Sequence, residues 1–91
     1  MGDYAKSLGY QEQRLAITRE IRDRLGEGQS LGNLGNNYYS LGNYVRAVEY
    51  QKLSLLVARE IKDRLGEGHA LESLGVINYS LGNYNQSDRV S

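Results

Sequence analysis

The sequence has no cysteine, no proline, no tryptophan and no phenylalanine, and its formal net charge is zero. Each absence removes a class of explanation. Without cysteine there is no disulfide framework, no thiolate nucleophile and no cysteine-based metal site. Basic and acidic residues number 11 each, beside one histidine, so there is no electrostatic reason to expect nucleic acid or an anionic membrane as partner. No apolar run approaches the ~20 residues that span a bilayer, and the N-terminus lacks the basic-then-apolar order of a secretory leader. A cytoplasmic location is therefore expected. Ninety-one residues make one small domain. Such a chain buries only about 60–65% of its extended surface, which leaves a thin stability margin.

Eight tyrosines supply every aromatic ring, and 11 glycines exceed the roughly 7% of average usage. More informative is an internal repeat. Ile21-Arg22-Asp23-Arg24-Leu25-Gly26-Glu27-Gly28 returns 40 residues later as Ile61-Lys62-Asp63-Arg64-Leu65-Gly66-Glu67-Gly68. Tyr39-Ser40-Leu41-Gly42-Asn43-Tyr44 likewise returns as Tyr79-Ser80-Leu81-Gly82-Asn83-Tyr84. A fixed period of this length marks stacked units, each burying its apolar face against its neighbours.

Gly42-Asn43 and Gly82-Asn83 each offer a left-handed glycine stop followed by an N-cap asparagine. Asp23 and Asp63 offer caps at the other boundary, with Gly26 and Gly66 loosening the turn. Between those marks the apolar spacing is helical, as in Ile17, Ile21 and Leu25 at four-residue steps. The reading is all-α: four antiparallel helices, about 4–23, 26–41, 44–63 and 66–81, forming an array over 1–84, then a polar tail over 85–91. The third helix is apolar around most of its circumference and reads as the core; the first, more polar, reads as a partial cap. Recurring Gly35 and Gly75 point to close backbone approach where a short helix crosses its partner.

These residues resemble the tetratricopeptide repeat. Its pattern of Leu-Gly, an aromatic, a Gly-x-Tyr turn and then a small residue is met by Leu34-Gly35, Tyr38-Tyr39, Gly42-x-Tyr44 and Ala47. The second copy gives Leu74-Gly75, Tyr79, Gly82-x-Tyr84 and Ser87, and Gly2-x-Tyr4 with Ser7 matches part of a third. The 40-residue spacing exceeds the usual 34 and is similar to the long-period arrays of kinesin light chains and bacterial proteins. The resemblance implies hairpins stacked as a short right-handed solenoid. It also implies a concave groove, lined by the short helices, that holds an extended protein segment.

The groove positions so implied include Gln29, Asn33, Asn36, Tyr39, His69, Glu72 and Tyr79. An asparagine carries both a donor and an acceptor, so Asn33 and Asn36 could clasp a peptide amide without reading sequence. These positions hold no lysine or arginine, which argues against a carboxylate clamp. One histidine without clustered acids does not suggest a metal, no serine has a histidine–acid partner at a telling spacing, and the glycines do not form a phosphate loop. Glu27 and Glu67 recur, which marks them as structural. No cofactor and no catalytic residue are expected. The function expected is a non-enzymatic protein–protein interaction module. The alternative is homo-oligomerisation through an uncapped fourth helix, at a patch comprising Leu74, Val76, Ile77 and Leu81 together with Tyr79.

Overall fold

A computed structural model of the chain describes the backbone of residues 2–90 and the side chains of residues 6–82. Four helices follow one another: α1 (Gly2–Glu20), α2 (Arg24–Ser40), α3 (Tyr44–Glu60) and α4 (Arg64–Val90). The described residues contain no strand. Tight turns make neighbours antiparallel, and each helix packs against its sequence neighbours, with α2 also touching α4.

The caps explain the boundaries. Asp23 Oδ1 accepts from the Gly26 amide at 3.0 Å, and Asp63 Oδ1 from the Gly66 amide at 3.1 Å. Each aspartate thus satisfies one of the free amides of a helix start. Gly26 and Gly66 do not loosen the turns. They lie inside the first helical turn, where a Cβ would strike the capping carboxylate. Asn43 caps α3 in the same way, accepting from Arg46 N at 3.3 Å. Gly42, at φ +81°, ends α2 in the left-handed conformation expected of it.

Gly82-Asn83 behaves differently from its counterpart, because α4 runs through it to Val90 and the expected stop at residue 81 does not occur. A glycine permits a turn without forcing one. After Gly42 the buried Ala47 and the half-buried Val48 and Tyr50 draw the chain back across α2, whereas Asn85-Gln86-Ser87-Asp88 offers little to bury. The side chains expected to form the polar tail over 85–91 lie outside the described residues, as do those of Tyr4 and Tyr84.

The core is formed by Leu15 of α1, Leu31 and Leu34 of α2 and Val57 of α3, with Leu8, Tyr50 and Ile61 packed against it. The most enclosed helix is therefore α2, not α3. Both neighbours of α3 lie to one side of it, which leaves Val45, Leu53 and Leu56 between 42% and 65% exposed on the other. The apolar circumference of α3 is thus an uncovered outer face. The first helix touches only α2, in keeping with an end position.

Close approach between α2 and α3 is built on glycine. Gly28, Gly32 and Gly35 recur at i, i+4 and i+7, forming a furrow along α2 that receives Val57, Ser54 and Gln51 of α3. The furrow exposes backbone carbonyls: Ser54 Oγ donates to Gly28 O at 2.9 Å and Gln51 Nε2 to Gly32 O at 3.0 Å. The expected close approach therefore holds at Gly35. It fails at Gly75, where a Cβ would meet nothing within 4 Å. Beyond the furrow Tyr38 and Tyr50 stack with centroids 5.4 Å apart.

Glu27 ties α1 to α2. It is buried, at 8% exposure, and accepts from Arg19 Nε at 3.1 Å and Arg24 Nη1 at 2.7 Å. Arg24 also reaches Glu60 of α3. Burial pushes the Glu27 carboxyl up, but the two guanidinium hydrogen bonds outweigh it and hold the group below its ordinary value of 4.5. Stabilisation from such a depressed group is fully present above the unfolded pKa and is lost as pH falls through the folded one. Glu27→Gln is expected to cost about 1–2 kcal/mol at pH 7, because the released arginines return to solvent. Urea denaturation at pH 7 and pH 3 checks this: the gap between variant and parent should close in acid. Glu67 repeats the arrangement in looser form, with Arg59 at 3.0 Å and Arg64 at 3.6 Å.

Candidate functional site

Helices α2 and α4 stand side by side, with α3 behind them as the floor of a trough. The expected alternation of long and short helices does not hold, since α2 and α3 are equal in length and α4 is the longest. On α2 the positions 29, 33 and 36 fall on one helical face; on α4 the positions 69, 72, 73 and 76 do the same. The trough has two basins. The first, about 270 Å³, is lined by Gln29, Asn33, Asn36, His69 and Ser73, with Gln51 and Ser54 of α3 at its base. The second, about 200 Å³, is lined by Asn36, Tyr39, Glu72, Ser73, Val76 and Ile77. Asn36 and Ser73 belong to both and mark the junction.

Six of the seven expected groove residues are brought together in this way; Tyr79 is not. It is 70% exposed and lines neither basin. Its counterpart Tyr39 is held in place by the ring of Tyr44, 5.2 Å away between centroids, and by a 2.9 Å hydrogen bond with Ser80 Oγ. Tyr79 lies on the face of α4 turned away from α3, and no residue among those described holds its ring in an equivalent way.

The polar groups of the first basin are partly engaged already. Gln51, only 2% exposed, donates through Nε2 to Asn36 Oδ1 at 3.1 Å as well as to Gly32 O. This fixes the Asn36 amide with its oxygen toward the floor, and its N–H groups make no hydrogen bond among the described residues. Asn33 Nδ2 reaches Gln11 Oε1 of α1 at 3.5 Å, and Gln29 Oε1 accepts from Arg14 Nη2 at 3.0 Å.

The expected groove positions hold no basic residue, but Arg14 of α1 lines the first basin beside them. The trough thus draws on α1 and α3 as well as on α2 and α4. Gln51 and Ser54 escaped the sequence reading for the same reason. The signal lay in their register, three residues apart and opposite the glycines of α2. Arg14 and Asp63 both line the first basin, and Glu72 lines the second. His69 lies among amide and hydroxyl side chains, and the described residues contain no set of three His, Asp or Glu able to hold a metal ion. No helix among them is long and apolar enough to cross a membrane.

The expected patch on α4 also needs correction. Ile77 is only 2% exposed and is not available on the surface. Its counterpart Asn37 bonds Ser7 of the preceding long helix, so this register faces backward, toward α3, and not outward. Leu74 and Leu81 are half-buried. Val76 remains exposed, at 49%.

The profile of one family, the tetratricopeptide repeat, matches residues 1–54 and again residues 33–89. Comparison with curated proteins finds no match.

Proposed function

Because the chain belongs to the tetratricopeptide repeat family, whose members generally mediate protein–protein contacts, we propose that the trough between α2 and α4 receives an extended segment of a partner protein. The 40-residue spacing groups it, on this reading, with the long-period arrays typified by kinesin light chains. The observation that carries the proposal is the Asn36 amide, whose oxygen is held by Gln51 so that its N–H donors serve a ligand carbonyl. A prearranged donor of this kind costs little ordering on binding and reads backbone, not sequence. Glu72 adds a preference for a basic side chain at the second basin. The basins are smaller than the roughly 300–1,000 Å³ typical of small-molecule sites, which favours side chains of a passing segment over an enclosed metabolite.

The test is selection of binders from a displayed peptide library, followed by titration of the best peptide. Alanine at both Asn33 and Asn36 is expected to weaken its affinity by about 1–3 kcal/mol, or roughly five- to 150-fold. Lys52→Ala, on the exposed outer side of α3, should leave it unchanged. Equal binding by the double variant would remove the asparagines from the mechanism.

A further inference from the structure

The contacts that join α2 to α3 inside the chain have their partners waiting, unjoined, on its two ends. Adding 40 to the α2 residues of that interface gives positions on α4; subtracting 40 from the α3 residues gives positions on α1. Inside the chain Arg24 pairs with Glu60, Leu25 and Ile61 line one end of the trough, Val57 fills the furrow at Gly28, and Gln51 lies against Gly35. The corresponding pairs across two copies are Arg64 with Glu20, Leu65 with Ile21, Gly68 with Ile17, and Gly75 with Gln11. Residue type recurs at every one of these positions except Ile17, which stands for Val57.

Most of these groups are uncovered. The Arg64 side chain is 91% exposed and Leu65 72%, while a Cβ at Gly68 or Gly75 would meet nothing within 4 Å. On α1, Ile21 is 66% and Ile17 56% exposed. Exposed apolar residues in such a row are what an interface leaves behind when its partner is missing.

From this we propose that a second copy of the chain docks its α1 on the outer face of α4, in the register in which α3 covers α2, so that copies stack head to tail. Residue types depart from the internal template at Ile17, at Val76 and Asn78, which stand for Asn36 and Tyr38, and where Ser54 meets Gly32; the last of these supports the same register. Ser54 lies against Gly32 within the chain, with its Oγ 3.4 Å from a Cβ placed there. The corresponding residues are Arg14 and Glu72, which brings opposite charges face to face. Two ion pairs, Glu72 with Arg14 and Arg64 with Glu20, then fix direction as well as position. A two-fold pairing of α4 with α4 lacks this fit, since it sets one glycine furrow against another with no isoleucine ridge to fill either. The contact is heterologous and leaves a free face at each end of the stack, so growth is open-ended. It needs no peptide in the trough, although it draws on Arg14 and Glu72, which also line the two basins.

The experiment uses Leu65→Glu and Ile21→Glu, both on exposed side chains outside the core and outside either basin. Light scattering behind size-exclusion chromatography, over a hundredfold concentration range, should show parent mass rising past the dimer. Each variant alone should assemble at least tenfold more weakly, with helical circular dichroism unchanged. An equimolar mixture should stop at a heterodimer, because only one intact α4 face meets one intact α1 face. A parent that stays monomeric throughout overturns the proposal. So does an Ile21→Glu variant that dimerises like the parent, which would indicate symmetric α4 pairing, or a mixture that stays monomeric. Should a glutamate variant lose helix content, Arg64→Glu reads the same junction: it should weaken assembly and be rescued by Glu20→Arg in the docking copy.

Discussion

Leu34→Ala is expected to lower the unfolding free energy by about 3 kcal/mol, within the 2–5 kcal/mol typical of leucine deletions in a packed core. Leu34 is fully buried, at 0% exposure, in the cluster shared by α1, α2 and α3. Its removal therefore forfeits both transfer energy and packing against α1 and α3 at once. A domain of this size has about 5–13 kcal/mol of total stability, so this single change removes a large share of it. In thermal denaturation the midpoint should fall by roughly 12–24 °C, at about 4–8 °C per kcal/mol for a domain of 60–100 residues. The counterpart Leu74 is only half-buried. Leu74→Ala should cost about half as much, and equal losses at the two positions would contradict the central place given to α2.

Gly35 and Gly75 form the second contrast, in which one substitution at repeat-equivalent positions has opposite signs. In a bare helix, alanine is better than glycine by about 1 kcal/mol. At Gly75 the new methyl group meets nothing within 4 Å, so Gly75→Ala should realise most of that gain. At Gly35 the methyl would lie 2.6 Å from Gln51 Nε2 and 2.9 Å from its Cγ and Cδ. Gln51 is 2% exposed, and moving it breaks its hydrogen bonds to Gly32 O and Asn36 Oδ1. Breaking these two buried hydrogen bonds outweighs the gain in helix propensity and leaves Gly35→Ala destabilising by about 1–3 kcal/mol. Urea denaturation of both variants beside the parent measures the two signs directly.

The repeat made the helical hairpins legible in the sequence, since a 40-residue period with glycine, asparagine and aspartate at its joints admits few other architectures. The caps at Asp23 and Asn43 were readable because capping is local chemistry. What was not legible depended on which neighbour a helix face meets. The sequence marks Ile77 as apolar but does not say whether its face turns back to α3 or outward. Periodicity alone made α3 look like a core helix, although its apolar circumference included the exposed Leu53 and Leu56. Gly82-Asn83 carries the same residues as Gly42-Asn43, yet only the latter turns, because the stretch that follows decides whether folding back is rewarded. The trough was half readable. Its α2 and α4 side chains follow from helical register, while Arg14, Gln51 and Ser54 enter only through the packing of α1 and α3 behind them.

The exclusive pairing of sequence neighbours, relieved only by the touch between α2 and α4, has a kinetic consequence. Contacts that bridge short stretches of chain give a low contact order, and low contact order goes with folding in microseconds to milliseconds. Loop closure takes little entropy at any step, so helices can zip together pairwise once a nucleus forms. That nucleus falls naturally on α2, which among the described residues alone touches three other helices, with α1 the last to join. Cooperativity in this molecule is carried by its middle.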